Sequence, residues 1–277
     1  MTKLLKGKPV ADDLLNQVKK FAKNNQLKMA IIQIGDDSAS SWYRRFKIKT
    51  AKKLNIETID YQFGKDENED KIIKTIRQLN TDSEVNGIFL EQPIIGDFNR
   101  NNIVESISGD KDIDGITEKN CGKLYLNREG LFPATAKSII KILDFYNIKI
   151  KGKRIVIVGR SNIVGKPVAF LFMHRHGTIT ICHSRTKNLD KVVKEGEIVV
   201  AAVGKAKLIG EEFISENAVV IDAGYNLEGD NVYGDVDFEN AKTKAKAITP
   251  VPNGVGKVTT AMIFNNLVQA YKYQNDK

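Results

Sequence analysis

The feature that most constrains this chain is an alternation, kept up from end to end, between short apolar runs and segments whose apolar residues recur every three to four positions. The runs 29–34, 56–63, 85–90, 154–158, 178–182, 197–202 and 218–222 read as strands, and 40–54, 70–79, 101–107, 135–146 and 165–175 as helices. Apolar strands separated by amphipathic helices belong to a parallel sheet, because parallel neighbours need a long crossover that a helix supplies. The fold class is therefore α/β, and 277 residues suit two α/β domains of ordinary size.

The stretch 109–131, rich in Gly, Asp and Asn, reads as irregular, and 226–236 as a turn or hairpin. The tail 259–273 has the period of an amphipathic helix with no strand to follow, which implies that it packs back onto another part of the molecule. The basic turn 149–153 has the composition of a boundary, although a helix can bridge such a turn. The expected domains are 1–134 plus 260–277, and 135–259, the second a Rossmann-like βαβ array.

No apolar run approaches the roughly 18 residues of a membrane span, and Asp12 and Asp13 follow the first lysines where a secretory signal has its apolar region. A soluble, cytoplasmic protein is the expectation. Cys121 and Cys182 stand apart, without the spacing of a zinc site or a disulfide framework, so no metal is expected. The net charge of +9 comes from scattered lysines, among them Lys19, Lys20, Lys52, Lys53, Lys242, Lys244 and Lys246. Such scatter describes a solvated surface that also favours anionic ligands. A nucleic-acid-binding protein would need a contiguous basic face with stacking aromatics, and no such segment is visible.

The run VGRSNIVGKP, 158–167, follows an apolar strand and opens a helix, where backbone N–H groups face a pyrophosphate. Gly159 and Gly165 supply the turn and the close approach, and Arg160, Ser161 and Val164 line the loop between them. Five residues separate the two glycines and Pro167 stands where a Walker A loop has Ser or Thr, so a P-loop is excluded. Spacing alone leaves open a dinucleotide loop and a plain strand-to-helix turn. The end of the next strand carries Cys182, His183, Ser184, Arg185 and Thr186 in place of the acid that an NAD site uses for the ribose hydroxyls. An arginine and hydroxyls there suit a 2′-phosphate, so the inferred coenzyme is NADP; a solvated surface arginine is the other reading.

These two runs, followed by VVAAVGK (199–205), VVIDAGYN (219–226), GDVDF (234–238) and TPVPNGVGKVT (249–259), stand in the order found in the methylenetetrahydrofolate dehydrogenase/cyclohydrolase family. GDDSASSWYRRFK (35–47), GIFLEQP (87–93) and DKDIDG (110–115) are similar to that family's folate-site motifs, so the resemblance covers nearly the whole chain. It implies an N-terminal α/β domain, a Rossmann-like NADP domain and a C-terminal helix returning to the first, with folate in the cleft between. It also implies oxidation of 5,10-methylenetetrahydrofolate by hydride transfer to NADP and hydrolysis of the methenyl product to 10-formyltetrahydrofolate. A cytoplasmic homodimer acting on tetrahydrofolate derivatives, polyglutamylated ones included, and serving purine biosynthesis would follow.

Residue by residue, the resemblance makes Lys47 the proton-transfer group and Tyr43, one helical turn before it, the side chain that orders it and covers the folate. Without the family, the two read as ordinary i, i+4 neighbours. Ser40 matches a further polar member of that site, and Asp114 the carboxylate that binds the pterin N–H edge, although an Asp before Gly115 is also an ordinary turn former. Pro252, Asn253 and Gly254 match a loop that approaches folate by its backbone, and Gly204 and Gly224 join the coenzyme set.

Three departures stand out. Asn253 replaces a glycine, and Asn tolerates left-handed backbone well. Ala136 and Ser138 replace a proline and a glycine at the start of a helix, where altered stiffness is expected. Glu91 stands where relatives carry a glutamine that positions the catalytic lysine. A carboxylate within about 4–6 Å would favour the charged amine and oppose its use as a base, so a weakened hydrolytic step, or a Glu91 and Lys47 pair acting as a unit, is an alternative reading. A two-domain oxidoreductase with a non-folate substrate is a further rival, but Tyr43, Lys47 and Asp114 together are not expected of it. His174 and His176, two apart on a helix, do not face one another and read as surface groups.

Overall fold

The computed structural model describes residues 2–229 and 231–275. Met1 and Lys277, the limits of the expected first domain, and Asp230, inside the expected hairpin, lie outside the described residues. The chain forms two compact units: Met1–Asp12 with Thr135–Met262 (unit 1), and Asp13–Ala134 with Ile263–Lys277 (unit 2).

Strand β1 (Lys3–Leu4) leads into helix α1 (Gly7–Ala22), whose residues fall in both units. Unit 2 continues with β2 (Leu27–Ile34), α2 (Ser38–Lys53), β3 (Ile56–Phe63), α3 (Glu69–Thr81), β4 (Gly87–Leu90), α4 (Arg100–Glu105) and α5 (Glu118–Tyr125). Its three strands pair in the order β3-β2-β4, all parallel, with Ile31 opposite both Asp60 and Phe89. Helix α3 shows why these residues are helical: the Asn68 side chain accepts the Asp70 N–H, and Glu69 and Asp70 sit at the positive end of the macrodipole. Its Ile72, Ile76 and Leu79 fall at i, i+4 and i+7 and pack with Ala30, Ile32, Ile34, Ile88 and Leu90 of the sheet. The stretch 109–131, read as irregular from its composition, contains α5, whose buried Asn120 donates to the Gly109 carbonyl and to Asp112.

Unit 1 contains α6 (Ala134–Phe145), all but its first residue, followed by β5 (Arg154–Val158), α7 (Gly165–His174), β6 (Thr178–Cys182), α8 (Leu189–Lys194), β7 (Ile198–Ala201), β8 (Val219–Asp222), the antiparallel hairpin β9 (Asn226–Glu228) and β10 (Asn231–Tyr233), α9 (Phe238–Lys244) and β11 (Ala247–Ile248). The six-stranded parallel sheet runs β1-β11-β8-β7-β5-β6. The chain moves from β5 outward to β6 and then back across to β7, which makes the carboxyl ends of β5 and β7 a topological switch point. Lys3 and Leu4, expected in the first domain, pair with Ala247 and Ile248 in this sheet.

Helix α10 (Val255–Asn275) starts four residues before its predicted start at 259. Within unit 2, Asn266 Nδ2 donates to the carbonyls of Ile113 and Phe132, and Gln274 Nε2 to those of Asn86 and Asp110. Ile32, fully buried on the central strand β2, anchors the unit 2 core. Ile32→Ala is expected to lower stability by about 2–5 kcal/mol, read by urea denaturation, through lost burial plus the cavity it leaves.

Candidate active site

In unit 2, helix α2 begins at an N-cap, Asp37, whose carboxylate accepts the Ser40 N–H at 2.7 Å. The bonds from Ser40 hold the Asp37 carboxyl below its usual range. Helical spacing then places Ser40, Tyr43, Arg44 and Lys47 along one side. Ser40 is buried, and its hydroxyl lies 2.7 Å from Asp37 Oδ2 and 3.0 Å from the Gln92 carbonyl, so it joins the cap to the segment that follows β4.

Lys47 is 5% exposed and its Nζ donates to both carboxylate oxygens of Glu91, at 2.8 and 3.0 Å. Glu91, 4% exposed, is the first residue past β4 and is held there by its own N–H on the Ile32 carbonyl at 2.8 Å. The amine also lies over two rings, 4.5 Å from the centroid of Phe89 and 5.7 Å from that of Tyr43. Burial pushes the Glu91 carboxyl up, against the pull of Lys47 and Arg44.

The segment DKDIDG runs beside β4 as an added parallel bridge, with Ile88 N–H on the Lys111 carbonyl and Ile113 N–H on the Ile88 carbonyl. Its two later acids have different tasks. Asp112 accepts from the N–H groups of Gly115 and Thr117, the Thr117 hydroxyl and the Asn120 amide, and so holds the turn together. Asp114 accepts no hydrogen bond among the described residues. Burial, then the charge of Asp112, push its carboxyl up to about 7, against Lys47 and with a further push from Glu91. Ionised, such a carboxylate offers two oxygens that N–H donors of a ligand can fill.

In unit 1 the 159–165 loop sits at the switch point. Gly159 N–H bonds the Cys182 carbonyl at 2.9 Å, and Ala202 N–H bonds the Val158 carbonyl at 2.8 Å. Gly159 has φ +129°, and a Cβ there would lie 2.1 Å from the Ala202 carbonyl; one on Gly165 would lie 2.2 Å from that of Gly159. Ser161 Oγ accepts the N–H of Val164 at 3.1 Å and that of Gly165 at 3.4 Å at the entry to α7. Arg160 is exposed. On the neighbouring loop, His183 N–H donates to the Thr186 hydroxyl and His183 Nδ1 accepts the Arg185 N–H, leaving Ser184 and Arg185 exposed at the end of β6. This closed glycine cradle at a helix N-terminus, with the exposed Arg185 guanidinium one strand away, fits a phosphorylated dinucleotide.

Two carboxylates that the sequence reading did not single out tie down the loops carrying Gly204 and Gly224. Asp235 accepts from the N–H groups of Val203, Gly204 and Lys205 and from the Asn226 amide. Asp222 accepts from those of Gly224, Asp235 and Val236, and burial pushes it up to about 6 against these bonds. Their signals were an acid at the end of an apolar strand in VVIDAGYN and an acid beside a glycine in GDVDF. Asn253 takes φ +78°, the left-handed region its residue type tolerates, and its carbonyl accepts the Gly7 N–H at 2.8 Å within unit 1. The structure thus gathers Ser40, Tyr43, Lys47, Glu91 and Asp114 in unit 2, and the predicted coenzyme residues with Pro252, Asn253 and Gly254 in unit 1.

The catalytic-domain model of the tetrahydrofolate dehydrogenase/cyclohydrolase family matches residues 5–114, and that family's NAD(P)-binding-domain model matches residues 133–275. A bifunctional protein FolD from Clostridium botulinum is 40% identical over 282 residues, covering 100% of each chain. The crystal structure of the bifunctional methylenetetrahydrofolate dehydrogenase/cyclohydrolase FolD from Campylobacter jejuni aligns with a TM-score of 0.95 at 34% identity over 99% of each chain. The Trypanosoma brucei enzyme, solved with NADP cofactor and an inhibitor, aligns at 0.93 and 28% identity over 98% of each. Gly165→Ala is expected to cost about 1–3 kcal/mol in stability by overpacking the loop, and to weaken dinucleotide binding by unit 1 in titration calorimetry.

Proposed function

This chain belongs to the tetrahydrofolate dehydrogenase/cyclohydrolase family, and from that premise we propose that it oxidises 5,10-methylenetetrahydrofolate with NADP and hydrolyses the methenyl product to 10-formyltetrahydrofolate. The observation that carries the reading is the buried Lys47 amine with Glu91, Tyr43 and Phe89 around it and Asp114 as its electrostatic neighbour. Asp114 binds the N–H edge of the pterin, Tyr43 covers it, and Lys47 manages protons in the hydrolytic step. NADP, when bound, takes up the hydride; Gly159, Ser161, Val164 and Gly165 receive its pyrophosphate, Arg160, His183, Ser184 and Arg185 its 2′-phosphate, and Gly204 and Gly224 lie on the loops that border it. The hydride step itself needs proximity and orientation and no titrating side chain.

A dehydrogenase with a weak hydrolytic step is not favoured, since relatives that are 39–41% identical along nearly the whole chain are named bifunctional. The family resemblance further supports a homodimer that works in the cytoplasm and passes formyl groups to purine biosynthesis. Both cysteines are free thiols, as suits a reducing compartment. The net charge of +9 favours folates carrying a polyglutamate tail.

A coupled assay following NADPH and methenyltetrahydrofolate in one sample tests the whole reading; no NADP reduction on addition of methylenetetrahydrofolate would sink it. Replacing Arg185 by Ala is expected to raise KM for NADP roughly 10- to 100-fold, the worth of a charge-assisted phosphate contact, while leaving KM for NAD, which has no 2′-phosphate, unchanged. Asp114 must be ionised to accept pterin N–H donors, so KM for the folate is expected to rise as pH falls through about 7. Asp114→Asn should bind folate poorly with a flat pH dependence, as steady-state kinetics between pH 6 and 9 would reveal.

A further inference from the structure

The Lys47–Glu91 pair does not stand alone. One turn back on α2, Arg44 is 6% exposed and pairs through Nη1 with Asp60 of β3. Its Nε is buried with no hydrogen-bond partner among the described residues, and Gln33 Oε1 on β2 is in the same state. Glu91 contacts Lys47 of α2 directly and lies within the electrostatic reach of Arg44 from α2, Asp60 from β3 and Asp114 from the segment beside β4. Two cations and three carboxylates, all but Asp60 largely withdrawn from solvent, leave each charge dependent on the rest.

Resting on the hydrolytic role given to Lys47 above, we propose that Arg44 and Asp60 are positioning residues that set the charge of Glu91, and that Glu91 is the terminal proton acceptor of the hydrolysis. The oxygen of water bonds to the bridging methenyl carbon while its proton passes to Lys47, which in the same event hands one of its own to a Glu91 oxygen. In the resulting carbinolamine the hydroxyl proton moves to N5 as the carbon–N5 bond breaks, leaving the formyl group on N10. The proton on Glu91 then leaves to solvent, so the cation and water become a neutral formyl product and one proton. This route lets Lys47 begin and end the cycle as an ammonium. The bidentate contact at 2.8 and 3.0 Å supplies the path, and desolvation, which pushes the Glu91 carboxyl up, gives it the affinity to hold the proton.

The two backing residues pull Glu91 in opposite directions. Removing the cation in Arg44→Met leaves Glu91 harder to ionise, so the acid limb of kcat for methenyl hydrolysis should move up by roughly one pH unit. Arg44→Lys should restore most of that shift. Removing the anion in Asp60→Asn should move the limb down by roughly half a unit, and its partly exposed position spares the fold if Arg44→Met does not fold. A merely structural role would not move the limb with these opposite signs. The same shifts are read without substrate by carbon-13 NMR titration of the Glu91 carboxyl, its signal identified by its loss in Glu91→Gln. Unmoved titrations, or shifts of one sign in both variants, would overturn the assignment of Arg44 and Asp60 even in a fully active enzyme. Opposite NMR shifts with an unmoved kinetic limb would overturn Glu91 as acceptor. Absence of any methylenetetrahydrofolate oxidation by the wild type is a separate result that removes the proposed function.

Discussion

Parallel strand pairing is the constraint from which the rest of this molecule follows. When every strand of a sheet points the same way, each connection must cross back over the sheet, usually along a helix, and all the strands release their carboxyl ends at one edge. Glu91 follows β4 directly, Gly159 follows β5, His183 follows β6 and the Val203–Gly204 loop lies just beyond β7. Backbone groups at that edge have lost their ladder partners and are free to be satisfied by side chains or by ligands. The chemistry therefore gathers at these edges without needing long excursions of the chain.

Buried charge is the second organising theme, and it is handled differently in the two units. In unit 1, Asp222 and Asp235 spend their lone pairs on backbone N–H groups of the surrounding loops, so desolvated carboxylates become loop anchors. In unit 2, Lys47 and Glu91 satisfy one another while Asp114 keeps both oxygens uncommitted among the described residues. A buried ion pair contributes little net stability once desolvation is counted, but losing one member leaves an uncompensated charge. Such an arrangement is retained for chemistry more readily than for folding strength.

The glycines and asparagines of the loops answer to backbone geometry. Gly159 lies so close to the Ala202 carbonyl, and Gly165 to the Gly159 carbonyl, that no side chain fits at either position, and this closeness opens the helix N-terminus to a phosphate. Asn253 reaches the same end by another route, adopting positive φ in a loop where relatives are expected to carry glycine. At the Gly159 loop, local strain is held by β5, buried from Ile155 to Val158, and by β7, buried throughout.

The sequence by itself determined the α/β class, the positions of most strands and helices, and the loops that carry function, because period, glycine placement and strand-end charge are local properties. Other pieces escaped it: helix α1 was not read from 7–22, β1 and β11 are two residues each and exist through pairing with each other and of β11 with β8, and α5 hides in a polar stretch where one buried asparagine stitches it down. Only the tertiary structure decided that Asp112 is structural and Asp114 uncommitted, though both occupy the same short motif. It also decided that Glu91 grips an amine 44 residues earlier and that Arg44 and Asp60 stand behind that grip. Partners so far apart in the chain are chosen by packing of helix on sheet, and no period or spacing in the sequence encodes which of several buried charges will meet.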